Sequence, residues 1–442
     1  MKKGIYAFSL LVFLSGCSNL RYYFLNYNSR IKPVKQEVST KDYKKALLEF
    51  KKTNLNKDKK NRLLYHLEAG LLYHMAGDYD RSNYFLERAE WISDELYTKS
   101  LSNEAASLVT SDKVIPYRGE YYEYLFTNYY KLLNYLHLGN LEDALVEVRR
   151  INHKLSLFDQ DDAFMHYLTS MLYQYNNQSS DAFIEYKKAY QGYTKKYDKK
   201  YNITTPSQIK KDIAVFCRET GFSRCNEFPK RILNSYRPPD KYGSVVFLVE
   251  TNFIPHLTDK KIEAAIPQKY KRKHKNKLAD VYYLTIEMPV YKPRKNWVEE
   301  VSLNLAGKSV KMDLVEDLGE IARANLESEE SKILAKSMAR AVAKYLTYKS
   351  VDGGKEEKGL LQRVLKGTVN VLGTATEQAD TRSWLTLPDR IFLSRQYLEP
   401  GKYSFNLRIK SSKGSDTLTE KEEFTIEQGE IKFIVLRRFI DL

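Results

Sequence analysis

The stretch HLEAGLLYHMAGDYDRSNYFLERAEWI, residues 66–92, decides the fold of the first half of the chain. Its apolar residues recur every three or four positions on both sides of Gly77, as in two amphipathic helices joined by a tight turn. Related stretches follow at residues 128–152 and 168–190. The pattern predicts an N-terminal all-α domain of repeated helical hairpins over residues 41–234.

The three stretches resemble tetratricopeptide (TPR) repeats, in which a small residue on helix A precedes Tyr, a turn, and Ala on helix B. The residues that carry the resemblance are Gly70, Tyr73, Gly77, Tyr79 and Ala89, then Leu132, Tyr135, Gly139, Leu141 and Ala144, then Tyr173, Ala182, Tyr186 and Ala189. An extra helix over residues 103–110 is expected between the first two copies. A non-repetitive helical bundle is the alternative.

Four side chains are candidates for partner binding in the groove that such repeats form. His74 and His137 are assigned to one repeat position, with Gln174 as the third-copy equivalent, and Tyr129 is expected to face the groove. The structural alternative for the two histidines and Gln174 is that they are polar tips on partly buried helices. It is favoured, because groove contacts are few in each repeat.

A turn-rich linker, residues 235–243, separates this region from a different pattern. Strand-like runs such as RIFLSRQYL (390–398) flank two predicted helices, over residues 316–327 and 328–349. Strands before and after helices, with hairpin-like spacing, predict an α+β domain with an antiparallel sheet over residues 244–442.

Residues 1–16 have a positive start, an apolar core of about ten residues and a small-residue end, the layout of a secretory signal. With Cys17 they resemble the lipobox of bacterial lipoproteins. The resemblance implies cleavage before Cys17, lipid on its thiol, and an outer-membrane location facing the periplasm. Two or more acyl chains anchor a protein stably. Residues 17–40 are predicted to be a tether, and an ordinary signal with a chance cysteine is the alternative.

The formal net charge of +16 favours anionic partners, such as acidic lipids or peptidoglycan carboxylates. Nucleic acid is not expected as a partner of an exported, anchored protein. The densest basic run, residues 269–277, is interpreted first as a solvated loop and second as an envelope contact. A general compositional bias towards Lys explains the charge equally well.

Cys217 and Cys225 are eight positions apart in the run CRETGFSRC. In an oxidising compartment such a pair predicts a disulfide, whose short loop would contribute roughly 2–3 kcal/mol. A metal site and a catalytic thiol are the less favoured alternatives. No nucleotide-binding, nucleophile-elbow or metalloprotease motif occurs in the sequence. We therefore expect no catalytic residues, no metal and no cofactor besides the lipid.

The segment ATEQADTRSWLTLPDR contains Asp380, Arg382 and Trp384 at alternate positions, which share one face if the segment is extended. They are interpreted first as a structural latch and second as a partner contact. Together with YRGEYYEYLFTNYYKLLNYLHLGNLEDALVEVRR (117–150), the segment resembles a family of uncharacterised bacterial TPR-containing outer-membrane lipoproteins. That resemblance implies an envelope lipoprotein without an established activity.

These observations predict a non-enzymatic, lipid-anchored periplasmic scaffold that binds envelope proteins. The alternative is an envelope protein that binds peptidoglycan or another anionic glycan and is linked to cell-wall synthesis.

Overall fold

The computed structural model of the protein describes residues 26–102, 115–157, 161–266, 282–352 and 379–440. The predicted features that lie outside these residues are the signal at 1–16, the lipidated Cys17, the helix at 103–110 and the basic run at 269–277. No helix in the described part of the chain combines the length and the apolar character needed to cross a bilayer.

Eleven α-helices precede the first strand within the described residues. They are α1 (Tyr27–Ser39), α2 (Tyr43–Lys52), α3 (Arg62–Met75), α4 (Tyr79–Ser102), α5 (Tyr121–His137), α6 (Leu141–Leu157), α7 (Ala163–Tyr175), α8 (Ser179–Gly192), α9 (Asp198–Tyr201), α10 (Ser207–Thr220) and α11 (Lys230–Leu233). Helices α3 and α4, α5 and α6, and α7 and α8 pack as consecutive pairs. The predicted helical region is confirmed.

Helix α1 lies where a tether was predicted, so that prediction is wrong for residues 27–39. Ile31, Val34 and Val38 follow one another at helical spacing and are fully buried in the core. Asn26 caps the helix by accepting a hydrogen bond from the Ser29 N–H at 2.9 Å. Pro33 inside the helix and the surrounding lysines weakened the helical pattern in the sequence.

Among the described residues, eleven strands and one long helix belong to the second region. They are β1 (Gly243–Thr251), β2 (Leu257–Ile266), β3 (Tyr282–Tyr291), β4 (Val298–Leu305), β5 (Lys308–Lys311), β6 (Asp313–Asp317), α12 (Leu318–Asp352), β7 (Arg390–Leu398), β8 (Gly401–Ser411), β9 (Asp416–Leu418), β10 (Glu422–Ile426) and β11 (Ile431–Arg438). One sheet has the order β11-β1-β7-β6, and a second has β10-β8-β4-β5 with β9 beside β8. Strands β2 and β3 form a separate hairpin. The predicted sheet-containing region with antiparallel strands is confirmed.

Two details differ from the prediction. Strands β1 and β11 run parallel, with Val246 opposite Phe433, so the first sheet is mixed. The chain reaches β11 through the second sheet, and such a crossover is what parallel neighbours require. The two helices predicted over residues 316–349 are one continuous helix, α12. Neither Gly nor Pro lies near the predicted boundary at Ser328, and the Ser328 hydroxyl donates to the Asn325 carbonyl at 2.7 Å, within the helix.

Strand β1 is the centre of three layers. All nine of its residues are buried, which is typical of a strand covered on both faces. Val246 and Leu248 belong to the core shared with the helices, whereas Val245, Phe247 and Val249 pack towards the second sheet. Fully burying each such side chain stabilises the fold by roughly 1.5–3 kcal/mol. The helical array therefore covers one face of the first sheet, and the second sheet covers the other.

We predict that Gly70→Ala destabilises the protein. A Cβ atom at Gly70 in α3 would lie 2.5 Å from Leu86 Cδ2 in α4, closer than carbon atoms can pack. Alanine is the better helix former by about 1 kcal/mol, yet overpacking costs about 1–3 kcal/mol. We expect the variant to unfold at a lower urea concentration, as measured by circular dichroism. A higher midpoint would show that α3 and α4 do not approach so closely.

Candidate functional site

The inner face of the helical array is occupied by the protein's own sheet. Tyr129 and Tyr130 of α5 donate hydrogen bonds to the Glu250 carboxylate of β1 at 2.9 and 3.1 Å. Arg437 of β11 completes the cluster, with its Nη1 3.1 Å from Glu250. Tyr129 is fully buried. It therefore faces the chain's own sheet and not the open groove that we expected.

The other groove candidates, His74, His137 and Gln174, lie in three different environments. His74 donates from Nδ1 to Asn134 Oδ1 at 2.6 Å, because the Asn134 amide nitrogen already donates to Ser82 and Asn83. Burial lowers the pKa of His74. His137 is exposed and stacks on Tyr79, with ring centroids 4.6 Å apart.

The assignment of His74 and His137 to one repeat position is wrong by one residue. The N–H of the turn glycine bonds the His74 carbonyl in the first hairpin and the Leu136 carbonyl in the second. Leu136, and not His137, is therefore the counterpart of His74. Gln174 does occupy this position in the third hairpin, where the Asn177 N–H bonds its carbonyl at 3.0 Å. Its side chain accepts from Tyr186 and Arg395 at 2.7 and 3.2 Å.

Asp380, Arg382 and Trp384 tie the sheet region to the helices. Arg382 donates to both Asp380 carboxylate oxygens at 2.8 and 2.6 Å, and to the Ile115 carbonyl at 2.9 Å. Trp384 is fully buried, and its backbone N–H donates to Glu123 of α5 at 2.6 Å. These contacts favour the latch interpretation. A role of the three residues in partner binding stays a prediction.

Buried carboxylates continue this interface. Glu68 of α3 accepts from the Tyr27 hydroxyl at 2.6 Å and from the Leu385 N–H at 2.9 Å. Burial raises the pKa of Glu68, and these hydrogen bonds oppose the rise. Burial likewise raises the pKa of Glu123 to about 7. In a sequence, glutamates within a helical pattern are normally interpreted as exposed to solvent. The burial of these two carboxylates was therefore not predicted.

Cys217 and Cys225 are joined by a disulfide, with their Cα atoms 5.7 Å apart. Cys217 lies in the last turn of α10, and Cys225 lies in the short 3-10 helix that follows. Gly221, at a φ of +57°, reverses the chain between them. Within the described residues, no group of three or more potential ligands is arranged to hold a metal ion.

An exposed aromatic stripe lies on the outer face of α4. Tyr84, Arg88 and Trp91 follow at helical spacing, and the two aromatic side chains are 57% and 59% exposed. The Arg88 guanidinium lies 5.8 Å from the Tyr84 ring centroid. A cavity of about 400 Å³ opens beside the stripe, between α4, α5 and α6. We call these three residues the α4 stripe.

The wall of that cavity is held by a buried charge network. Lys131 of α5 is almost fully buried, and its Nζ lies 2.8 Å from Glu90 and 3.1 Å from Glu147. Arg150 of α6 pairs with Glu90 at 2.8 Å. The network joins all three helices. It therefore supports a rigid surface beneath the α4 stripe.

A larger cleft, of about 770 Å³, lies between α1 and the segments at each end of the β2–β3 hairpin. Four lysines line it: Lys32, Lys35, Lys292 and Lys295. None of the four forms an ion pair with a carboxylate in the described part of the chain. Arg294 also lines the cleft, but it is paired with Asp389 at 2.9 Å. We call this site the α1 cleft.

The α1 cleft was not predicted, because Lys32 and Lys35 belong to the segment predicted as a tether. The spacing of Ile31, Val34 and Val38 was the one signal that could have placed those lysines on the surface of a helix.

No protein-family model, curated protein or solved structure matches the sequence. The resemblance to TPR-containing lipoproteins and the lipid anchor on Cys17 therefore stay predictions.

Proposed function

We propose that the protein is a non-enzymatic, lipid-anchored outer-membrane protein that faces the periplasm and binds envelope proteins. The lipobox resemblance at Cys17 is the basis for the location. The α4 stripe is the observation that carries the binding role, since the inner face of the helical array is closed by the protein's own sheet.

The hairpins α3–α4, α5–α6 and α7–α8 support the TPR-like assignment by ending their first helices in the same way. Gly77, Gly139 and Asn177 have φ angles of +76°, +71° and +57° at the three turns. In each turn, the N–H of the next residue bonds the carbonyl five residues back, that of Tyr73, Tyr135 or Tyr173. Three copies of one capping geometry are what a helical repeat produces.

The composition of the α4 stripe fits a protein-binding surface. Trp, Tyr and Arg are the residues most enriched among those that contribute most of the free energy of binding between proteins. Trp91 and Tyr84 expose large apolar surfaces to solvent in the part of the chain that the structure describes. The adjacent cavity has room for a side chain of a partner.

We predict that a photo-crosslinking amino acid at position 84 joins the native, lipidated protein to a partner protein in living cells. Trp91→Ala should weaken this crosslink at least tenfold, because hot-spot residues each contribute about 2 kcal/mol or more. Position 418 is the matched control, since Leu418 is 61% exposed but lies on β9. Equal crosslinking from 84 and 418, or a crosslink at 84 that Trp91→Ala leaves intact, would contradict the proposal.

The alternative of glycan binding rests on the net charge of +16. Within the described residues, the α1 cleft combines a cavity of about 770 Å³ with four lysines that form no ion pair.

A further inference from the structure

We propose that the α1 cleft binds the phosphate of a glycerophosphate lipid headgroup. The inference goes beyond the α4 stripe, which lies on a different helix, so either proposal can fail while the other stands.

The cleft carries more positive than negative charge among its described lining residues. Its lining residues include four unpaired lysines, whereas Asp389 is paired with Arg294, and Asp259 is the other carboxylate. Lys ammonium groups are common phosphate binders because they act as compact point charges with three donors. An anion is therefore the ligand that the described lining favours.

Lys35 is the central cation of this site. Its Nζ lies 4.5 Å from the centroid of the Phe253 ring, and its side chain is only partly exposed. Burial lowers the pKa of Lys35 to about 8, and the positive charge of Arg437 lowers it further, whereas the carboxylates of Glu68 and Asp389 partly offset the shift. His256, on the same cleft, has a pKa lowered by burial and then by Lys35 and Lys292. The positive charges of the cleft therefore also lower the pKa of His256. A bound anion would reduce the repulsion among these charges.

The cleft also offers contacts for the rest of a lipid headgroup. Phe253 and Pro255, which are partly exposed, give it apolar walls that can pack against the glycerol and the first methylenes of an acyl chain. Asn28 donates to the Leu257 carbonyl at 2.9 Å, while its buried Oδ1 has no hydrogen-bond partner among the described residues. That oxygen can accept a hydrogen bond from a headgroup hydroxyl.

The position of the cleft along the chain favours a lipid over a glycan. Asn26, the first described residue, lines its rim. Nine residues from a lipidated Cys17 span at most about 32 Å, so the predicted anchor would hold the rim near the bilayer surface. This step depends on the proposed location, and the binding measurement below does not.

The test uses the full mature lipoprotein in nonionic detergent, titrated by calorimetry with dihexanoyl phosphatidylglycerol, a water-soluble lipid. We expect Lys35→Gln to weaken binding at least tenfold. Lys413→Gln, the matched control, removes the same charge from an exposed turn and should change the affinity less than twofold. Dihexanoyl phosphatidylcholine, which lacks the hydroxyls and the net charge, should bind more weakly than phosphatidylglycerol.

A second measurement is chemical labelling of lysines with an acylating reagent at pH 8, read out by mass spectrometry. Phosphatidylglycerol should protect Lys35 and leave Lys413 unchanged. Glycerol phosphate should protect Lys35 at higher concentration, because it lacks the acyl contacts.

Three results would overturn the proposal. The first is equal affinity of the two glutamine variants for phosphatidylglycerol, with both folded as judged by circular dichroism. The second is protection of Lys35 by inorganic phosphate at the same concentration as by the lipid, which would mean an adventitious ion only. The third is protection by purified peptidoglycan fragments and not by phosphatidylglycerol, which would assign the cleft to a glycan.

Discussion

Replacing Glu250 by leucine is expected to lower the free energy of unfolding by about 3–5 kcal/mol, the cost of leaving a buried charge without its partner. Glu250 and Arg437 are both largely buried, 3.1 Å apart. The Tyr129 and Tyr130 hydroxyls would lose their acceptor in the same variant. Urea titration followed by circular dichroism measures the loss as a lower unfolding midpoint.

Two further variants make this expectation specific. Glu300→Leu removes a surface pair with Lys311, 2.7 Å apart, and should change the stability by no more than about 1 kcal/mol. The double variant Glu250→Leu with Arg437→Met should recover much of the loss, since apolar residues can replace a buried pair. If Glu250→Leu unfolds at the same urea concentration as the parent, α5 and β1 do not share the contact that the structure gives them.

Elements with strong local signals could be predicted from the sequence, because their determinants lie within a few residues. The turn glycines Gly77 and Gly139 have the left-handed conformation that the hairpin pattern requires. The run RIFLSRQYL coincides with β7. Strand β2 was missed, since LTDKKIEAAI carries four charges and little apolar alternation.

Long-range pairing could not be predicted in the same way. Nothing in the residues around Val246 indicates that Phe433 is its neighbour, because parallel pairing is set by the path of the whole chain. The continuous helix α12 was divided at Ser328 because Ser and Glu often begin helices. In this chain Ser328 lies inside the helix, because no Gly or Pro near it ends the helix.

The candidate sites were mispredicted or missed for the same reason, because they depend on contacts between distant segments of the chain. An amphipathic helix reveals that it has an inner face but not which surface fills it, so Tyr129 was expected to face a partner. The sheet that covers it comes from residues more than a hundred positions later, among them Glu250 of β1. The α1 cleft brings Lys35 and Lys292 together from distant segments, and no local motif marks that meeting.

The second large effect concerns Glu120, and we expect Glu120→Gln to stabilise the protein at alkaline pH. Burial raises the pKa of Glu120 from 4.5 to about 8, and the charges of Glu123, Asp380 and Glu329 add to the rise, while the Asn325 side chain opposes it by donating at 2.7 Å. A group whose pKa is raised in the folded state supports the fold fully below pH 4.5. It loses that contribution as the pH rises through 8.

The size of this effect follows from the shift. A change from 4.5 to 8 corresponds to about 5 kcal/mol if the group is wholly buried. Glu120 keeps some exposure, so solvent screening should reduce the gain from Glu120→Gln to about 2–3 kcal/mol at pH 9. At pH 5 both folded proteins carry a neutral side chain at this position, although most unfolded chains already carry an ionised Glu120, so the two stabilities should differ by less than about 1 kcal/mol. Urea midpoints at pH 5, 7 and 9 measure the difference.

Glu142→Gln is the matched control, because Glu142 is an exposed glutamate in the first turn of α6 and should leave the pH profile unchanged. Glu123 and Asp389, whose pKa values burial raises to about 7, titrate in both proteins and contribute to the slope of each. The difference in the free energy of unfolding between the parent and Glu120→Gln therefore reports the ionisation of residue 120, together with its repulsion of Glu123. If that difference is the same at pH 5 and pH 9, the Glu120 carboxyl ionises freely in the folded protein. The segment before α5 would then be open to solvent and not packed against α12.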